Sequence, residues 1–123
     1  MRTLNVGIAS YEQMKARTLA VARGKQRVRG GDPKIWFTSM ESFAKVLSDR
    51  NRALLALIAE TQPGSMTELS ELSGRAKSNL SRTLKTMERY GLVQLRKGLR
   101  GTIVPCVPYS GIALTVPLGS SRR

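Results

Sequence analysis

The sequence predicts an α+β fold, mainly α, built as one small domain with an extra arm at each end. Three observations carry this. Apolar residues recur at helical spacing between Phe43 and Met87, residues 92–104 form two short apolar runs around a glycine-rich turn, and residues 3–8 and 112–116 alternate as strands do. At 123 residues the chain has room for one modest core.

Composition narrows the function classes. Twenty-one Lys and Arg against eight Asp and Glu give a formal net charge of +13, a field that attracts polyanions, so nucleic acid comes first among partners and an anionic membrane surface second. No stretch approaches the ~20 consecutive apolar residues of a membrane-spanning helix. The opening MRTLNVGIAS has one basic residue and an interrupted apolar run, unlike a secretory signal, so the expected location is cytoplasmic and nucleoid-associated. A single cysteine, Cys106, excludes an intrachain disulfide, and the absence of histidine removes the common Cys/His zinc sites and any histidine base. Cys106, within VPCVP, reads as a small packed residue. We therefore expect no enzyme, no metal and no cofactor.

In chain order, Leu4, Val6 and Ile8 form the buried side of a first strand. Ser10 and Gln13 make a capping box for a helix with Glu12 in its first turn, Met14, Leu19 and Val21 as a rough apolar face, and Gly24 at its end. The run RGKQRVRGGDPK, residues 23–34, is either a basic arm along a phosphate backbone or a solubilising connector. Ile35, Trp36 and Phe37 extend onto the core. Thr38 with Glu41 is expected to open a helix that turns Phe43 and Leu47 inward, and Ser48 to cap a second, over residues 49–61, carrying Leu54, Leu55, Leu57 and Ile58. Pro63 and Gly64 end it.

The stretch MTELSELSGRAKSNLSRTLKTMERY, residues 66–90, organises the rest. It reads as two helices joined at Gly74, the first capped by Ser65 with Glu68. Leu69 and Leu72 line one helix, and Leu80, Leu84 and Met87 the other. The second helix then presents Lys77, Ser78, Asn79, Ser81, Arg82, Lys85 and Arg89 outward, with Glu88 its one acid on that side. Tyr90 and Gly91 stop it. A hairpin is expected next, with strands at residues 92–95 and 102–104 and a tip holding Arg96, Lys97 and Arg100 among glycines. Pro105 and Pro108 should interrupt pairing before a last strand bearing Ile112, Leu114 and Val116. Glu68 and Glu71, three residues apart on an exposed helix face, lack the pocket that acid–base work needs.

Three helices followed by a basic-tipped hairpin resemble a winged helix-turn-helix domain. LSELSG at residues 69–74 resembles the small-residue helix and glycine turn of prokaryotic regulators. SNLSRTLKTMERYGLV at residues 78–93 looks like their recognition helix running into the wing, and LSDRNRALLALIAE at residues 47–60 is similar to the first helix of the MarR and ArsR groups. The likeness spans about residues 42–104. Ala76 departs from the pattern, standing where many such helices carry a serine cap, a loss of about 0.5–2 kcal/mol unless Arg75 or a phosphate substitutes. The missing histidine and cysteine pair leave the metal sensing of many ArsR-like proteins unsupported.

The resemblance implies a sequence-specific transcriptional regulator bound to double-stranded DNA as a homodimer. Its domains would be a strand-helix extension and linker at residues 1–34, the winged domain at 35–107, and a C-terminal strand and tail at 108–123. The resemblance puts Lys77, Ser78, Asn79 and Arg82 on base edges and Ser81, Lys85 and Arg89 on phosphates, with Arg96, Lys97 and Arg100 of the wing on the backbone or minor groove. The alternatives are an antitoxin that binds both its promoter and a toxin protein, and a general RNA or nucleoid binder held by charge alone.

Overall fold

Leu4, Val6 and Ile8 become the buried side of β1 (Thr3–Ile8), the middle strand of a three-stranded parallel sheet ordered β2-β1-β5. The computed structural model describes residues 2–25 and 33–118. Its chain is a small α+β protein whose elements gather into two units. The first holds β1, α1 (Tyr11–Ala22), β2 (Ile35–Phe37), α2 (Met40–Val46) up to Lys45, and β5 (Gly111–Thr115). The second holds Arg2 and runs from Val46 to Ser110 through α3 (Asp49–Thr61), α4 (Met66–Ser73), α5 (Lys77–Arg89), β3 (Gln94–Lys97) and β4 (Ile103–Cys106). This differs from the expected division at residues 34 and 107. Because β2 pairs with β1 in register Val6–Ile35 and Ile8–Phe37, the segment after the linker joins the N-terminal unit. Residues 26–32, the middle of the expected basic arm, lie outside the described residues.

In the first unit the two sheet faces differ. Parallel register sets Leu4 beside Ile112 and Val6 beside both Ile35 and Leu114, so apolar side chains share one face. Phe37 on that face meets Phe43 of α2 edge-on, with centroids 5.3 Å apart and planes at 84°. Every residue of β5 is exposed, though Ile112 and Leu114 keep little more than a third of their surface in solvent, and Val116 lies past the strand end. On the other face Gly7 lies under Trp36, whose ring carries the Arg17 guanidinium of α1 at 5.7 Å. A Cβ on Gly7 would stand 2.5 Å from Trp36 Cζ3. Gly7→Ala should therefore push out the indole and destabilise the protein by about 1–3 kcal/mol. Trp36 is the one tryptophan, so an unchanged emission spectrum and midpoint would refute this contact.

The local signals mostly hold, with two displacements. Ser10 and Gln13 form the reciprocal box, and Ser48 accepts from the Asn51 N–H at 3.2 Å. The apolar face of α1 is weak, with no residue fully buried and Leu19 exposed. Thr38 does not open α2. The Phe37 carbonyl still accepts from the Ala9 N–H, which extends the strand path, and Ser39 takes the cap by accepting from the Ser42 N–H at 3.1 Å. At the end of α3 the left-handed residue is Gln62 (φ 48°), not Gly64. Pro63 disfavours right-handed helix in the residue before it, so the chain leaves the helix there.

The second unit packs on Leu54, Leu55 and Ile58 of α3, Leu69 of α4, Leu80, Leu84 and Met87 of α5, and Leu92 and Val93 beyond it, all buried. Leu72 does not join them and is 46% exposed. Three residues turn a helix by about 300°, short of a full turn, which carries Leu72 to the margin of the line through Leu69. Among the described residues no helix is long and apolar enough to cross a membrane.

Candidate functional site

Gly74, at φ 74°, lets the chain reverse between α4 and α5. The two helices begin differently. Ser65 accepts from the Glu68 N–H at 3.0 Å, and Glu68 Oε1 accepts from the Gly64 N–H at 2.9 Å. Ala76, in the extended conformation suited to a cap, has no side chain to offer the first N–H groups of α5, and Lys77 rather than an acid follows. The positive end of this helix is left open. Ala76→Ser should raise stability by about 1 kcal/mol; an unmoved urea midpoint would show that the cap position is already satisfied.

At about 100° per residue, Ser78, Arg82, Lys85 and Arg89 fall in one line opposite Leu80, Leu84 and Met87. All four are exposed, while the three apolar residues are buried at 1% exposure or less. Lys77 and Ser81 flank this stripe on one side, Lys77 exposed and Ser81 half-buried; Asn79, also half-buried, lies on the other. Lys77, Arg82, Lys85 and Arg89 make no ion pair with another described residue; Arg52 and Asp49, paired at 2.9 Å, are on α3. The stripe is a solvated row of three cations and a serine, and no acid among the described residues pairs with it.

Arg75 is the residue that sequence reasoning undervalued. It does not replace the missing cap, since a guanidinium has donors only. Instead Nε donates to Asn79 Oδ1 at 2.9 Å, Nη2 to Thr83 Oγ1 at 3.3 Å and Nη1 to Asn51 Oδ1 at 3.4 Å. Its backbone carbonyl accepts from Ser70 Oγ at 2.7 Å, so one residue ties α3, α4 and α5 together. Burial, and after it the charge of Arg50, hold the guanidinium below its ordinary pKa. The spacing of Arg75, Asn79 and Thr83 at i, i+4, i+8 was the signal available for this cluster.

The hairpin forms, its first strand starting two residues later than expected and its second one. β3 and β4 pair antiparallel with Leu95 opposite Pro105 and Lys97 opposite Ile103. Leu92 and Val93 are buried ahead of the strand, and Arg96 and Lys97 lie within it rather than at the tip. Arg96 donates to Gln94 Oε1 at 2.7 Å along its own strand. Pro105 pairs rather than interrupts, because both strands of a two-stranded sheet are edges and a missing N–H can face outward. The turn closes through Gly98 N–H to the Thr102 carbonyl at 2.8 Å, with Arg100 (φ 59°) and Gly101 (φ 76°) left-handed. Of the three hairpin cations only Arg100 rides the tip, next to Leu99, which is 87% exposed. Gly98 is required for space: a Cβ would lie 2.8 Å from Thr102 Oγ1 and Val104 Cγ2.

Elsewhere, Cys106 is a half-buried free thiol in β4, and no group of His, Cys, Asp and Glu among the described residues could hold a metal ion. Fold and site thus define a small α+β protein with one strongly cationic, outward-facing helix. The chain belongs to the HVO_A0114 family, whose model matches residues 46–114, more than half of its length. That match opens with the helical second unit and runs into β5. No curated protein and no solved structure matches the chain.

Proposed function

We propose that this protein is a sequence-specific DNA-binding transcriptional regulator of the winged helix-turn-helix type. In this reading α4 and α5 are the helix-turn-helix and β3–β4 the wing. The observation that carries it is the exposed line Ser78, Arg82, Lys85 and Arg89, without ion-pair partners among the described residues and set opposite the buried line on α5. The N-terminal half of α5 enters the major groove, with Lys77, Ser78, Asn79 and Arg82 toward base edges, and Ser81, Lys85 and Arg89 toward phosphates. Arginine donates in pairs to a guanine, so Arg82 is the main reader. Arg100 reaches the backbone or minor groove from the wing, with Arg96 and Lys97 closer to its base.

Pairing of two copies doubles the bases read. Residues 102–121 contain no charged side chain in a chain of net charge +13. The β5 edge is thus where two such cations meet without repulsion. A toxin protein seated on that edge, in an antitoxin of the same fold, is the second reading, and it draws on the same exposed Ile112 and Leu114.

The test is recovery of genomic DNA fragments by the purified protein at ~200 mM salt, where binding through phosphates alone has lost about 10³–10⁵ in affinity relative to 50 mM. Wild type should enrich one site, and Arg82→Ala should lose that preference. Uniform recovery of all fragments by wild type sinks the reading.

A further inference from the structure

The sheet of the first unit has two edges, and they are unlike. The β2 edge is three residues long, follows Lys34, and has the Arg17 guanidinium over Trp36 at its middle. The β5 edge is five residues long and carries none of the devices that keep edges apart: GIALT holds no charge and no proline, and its register with β1 runs without a bulge. On the side away from β1 its backbone meets no other strand among the described residues. Apolar surface gathers here as well. Ile112, Leu114, Val116 and Leu118, at every second position, are four of the nine exposed large apolar residues among the described ones. In a chain of net charge +13, residues 102–121 are uncharged, so a second copy can approach this stretch without meeting like charge on it.

We infer that β5 pairs antiparallel with β5 of a second copy about a two-fold axis at Ala113, joining the two three-stranded sheets into one. This deepens the two-copy part of the reading above and rests on it. A two-fold axis that sets two edge strands side by side in one sheet stands normal to that sheet, runs the strands antiparallel and keeps each face on its own side. Directly opposite residues then share a face. With Ala113 on the axis, Ile112 opposes Leu114 of the second copy and Gly111 opposes its Thr115. Because Ile112 lies beside Leu4 and Leu114 beside Val6, the apolar face of one sheet continues into that of the other. Pro108 and Pro117 stay outside this ladder. An axis one residue away in either direction sets Pro108 against Val116 or Pro117 against Gly111, where a ladder hydrogen bond is lost.

Sedimentation equilibrium of the full chain without DNA tests this, together with two kinds of variant at Ala113, which is exposed. Wild type should be a dimer. Ala113→Lys sets two ammonium groups across the axis and should weaken association about tenfold, as Ala113→Asp should with two carboxylates. An equimolar mixture of these two variants should restore a mixed dimer, which unfolding of either one would not produce. The second kind fixes the register. Opposite Cα atoms in an antiparallel pair are about 4.5–5.5 Å apart, within disulfide reach. With the native thiol removed by Cys106→Ser, Ala113→Cys should therefore cross-link on mild oxidation. Thr115→Cys should not, since Thr115 lies about 13 Å along the ladder from its own copy. A wild type that stays monomeric up to millimolar concentration overturns the inference and leaves the edge to a strand of another protein. An Ala113→Lys dimer as tight as wild type also overturns it, as does equal cross-linking through Thr115→Cys. A protein that dimerises through Ala113 yet enriches no DNA site ends the DNA reading and leaves this inference standing.

Discussion

Replacing Arg82, Lys85 and Arg89 together by alanine should reduce DNA affinity at low salt and flatten its salt dependence. Each phosphate contact releases condensed counterions, so the slope of log affinity against log salt falls by about 0.9 for every cation that had touched one. The three side chains lie on one line of α5, exposed and without ion-pair partners among the described residues. They face away from the core, so the fold should survive the change, with an effect of about 0.5 kcal/mol or less on stability. Fluorescence anisotropy with a labelled duplex between 50 and 200 mM salt measures the slope. A triple variant with the slope of wild type would mean that the helix does not meet the phosphates, whatever its charge.

The largest loss of stability is expected from Leu84→Ala. Leu84 is wholly buried, flanked by Leu80 one turn before and Met87 one turn after. Deleting its branched end removes apolar contact and leaves a cavity, together worth about 2–5 kcal/mol. A typical domain holds only about 5–15 kcal/mol in total, so a large fraction of the variant would be unfolded at modest urea concentrations. Urea unfolding followed by far-ultraviolet circular dichroism gives the midpoint. A shift below about 0.5 kcal/mol would contradict the packing of α5 described here. This variant is also the control for the triple alanine change: it should lose DNA binding by losing the helix, whereas the triple variant should lose it with the helix intact.

Legibility followed sequence distance. The Ser10–Gln13 box and the caps at Ser48 and Ser65 are bonds between residues three apart, and each stands where the sequence placed it. The buried line of α5 was equally plain, because three apolar residues at i, i+4, i+7 have one possible side. Errors arose where two neighbours were equally suited. Thr38 and Ser39 can both cap, and the reach of the sheet to Phe37 chose between them. The first hairpin strand was placed two residues early because Leu92 and Val93 look like strand residues, yet are buried before the ladder begins at Gln94. Leu72, an apolar residue at the margin of its helix, was misassigned to the core for the same reason: pattern alone does not say how wide the covered stripe is.

By itself the sequence determined the five helices with most of their limits, the core line of α5 and the cationic line opposite it, since these rest on periodicity and on bonds within one or two turns. Tertiary structure alone decided that β5 pairs with β1, joining segments from opposite ends of the sequence into one parallel sheet with β2. It also decided that Arg75 spends its guanidinium on Asn51, Asn79 and Thr83 instead of on solvent or a ligand. The physical reason is common to both. Strand pairing and side-chain networks are chosen by which groups come close once the chain has closed its loops, and hydrogen-bond donors and strand edges carry no mark in the sequence of the partner they will meet.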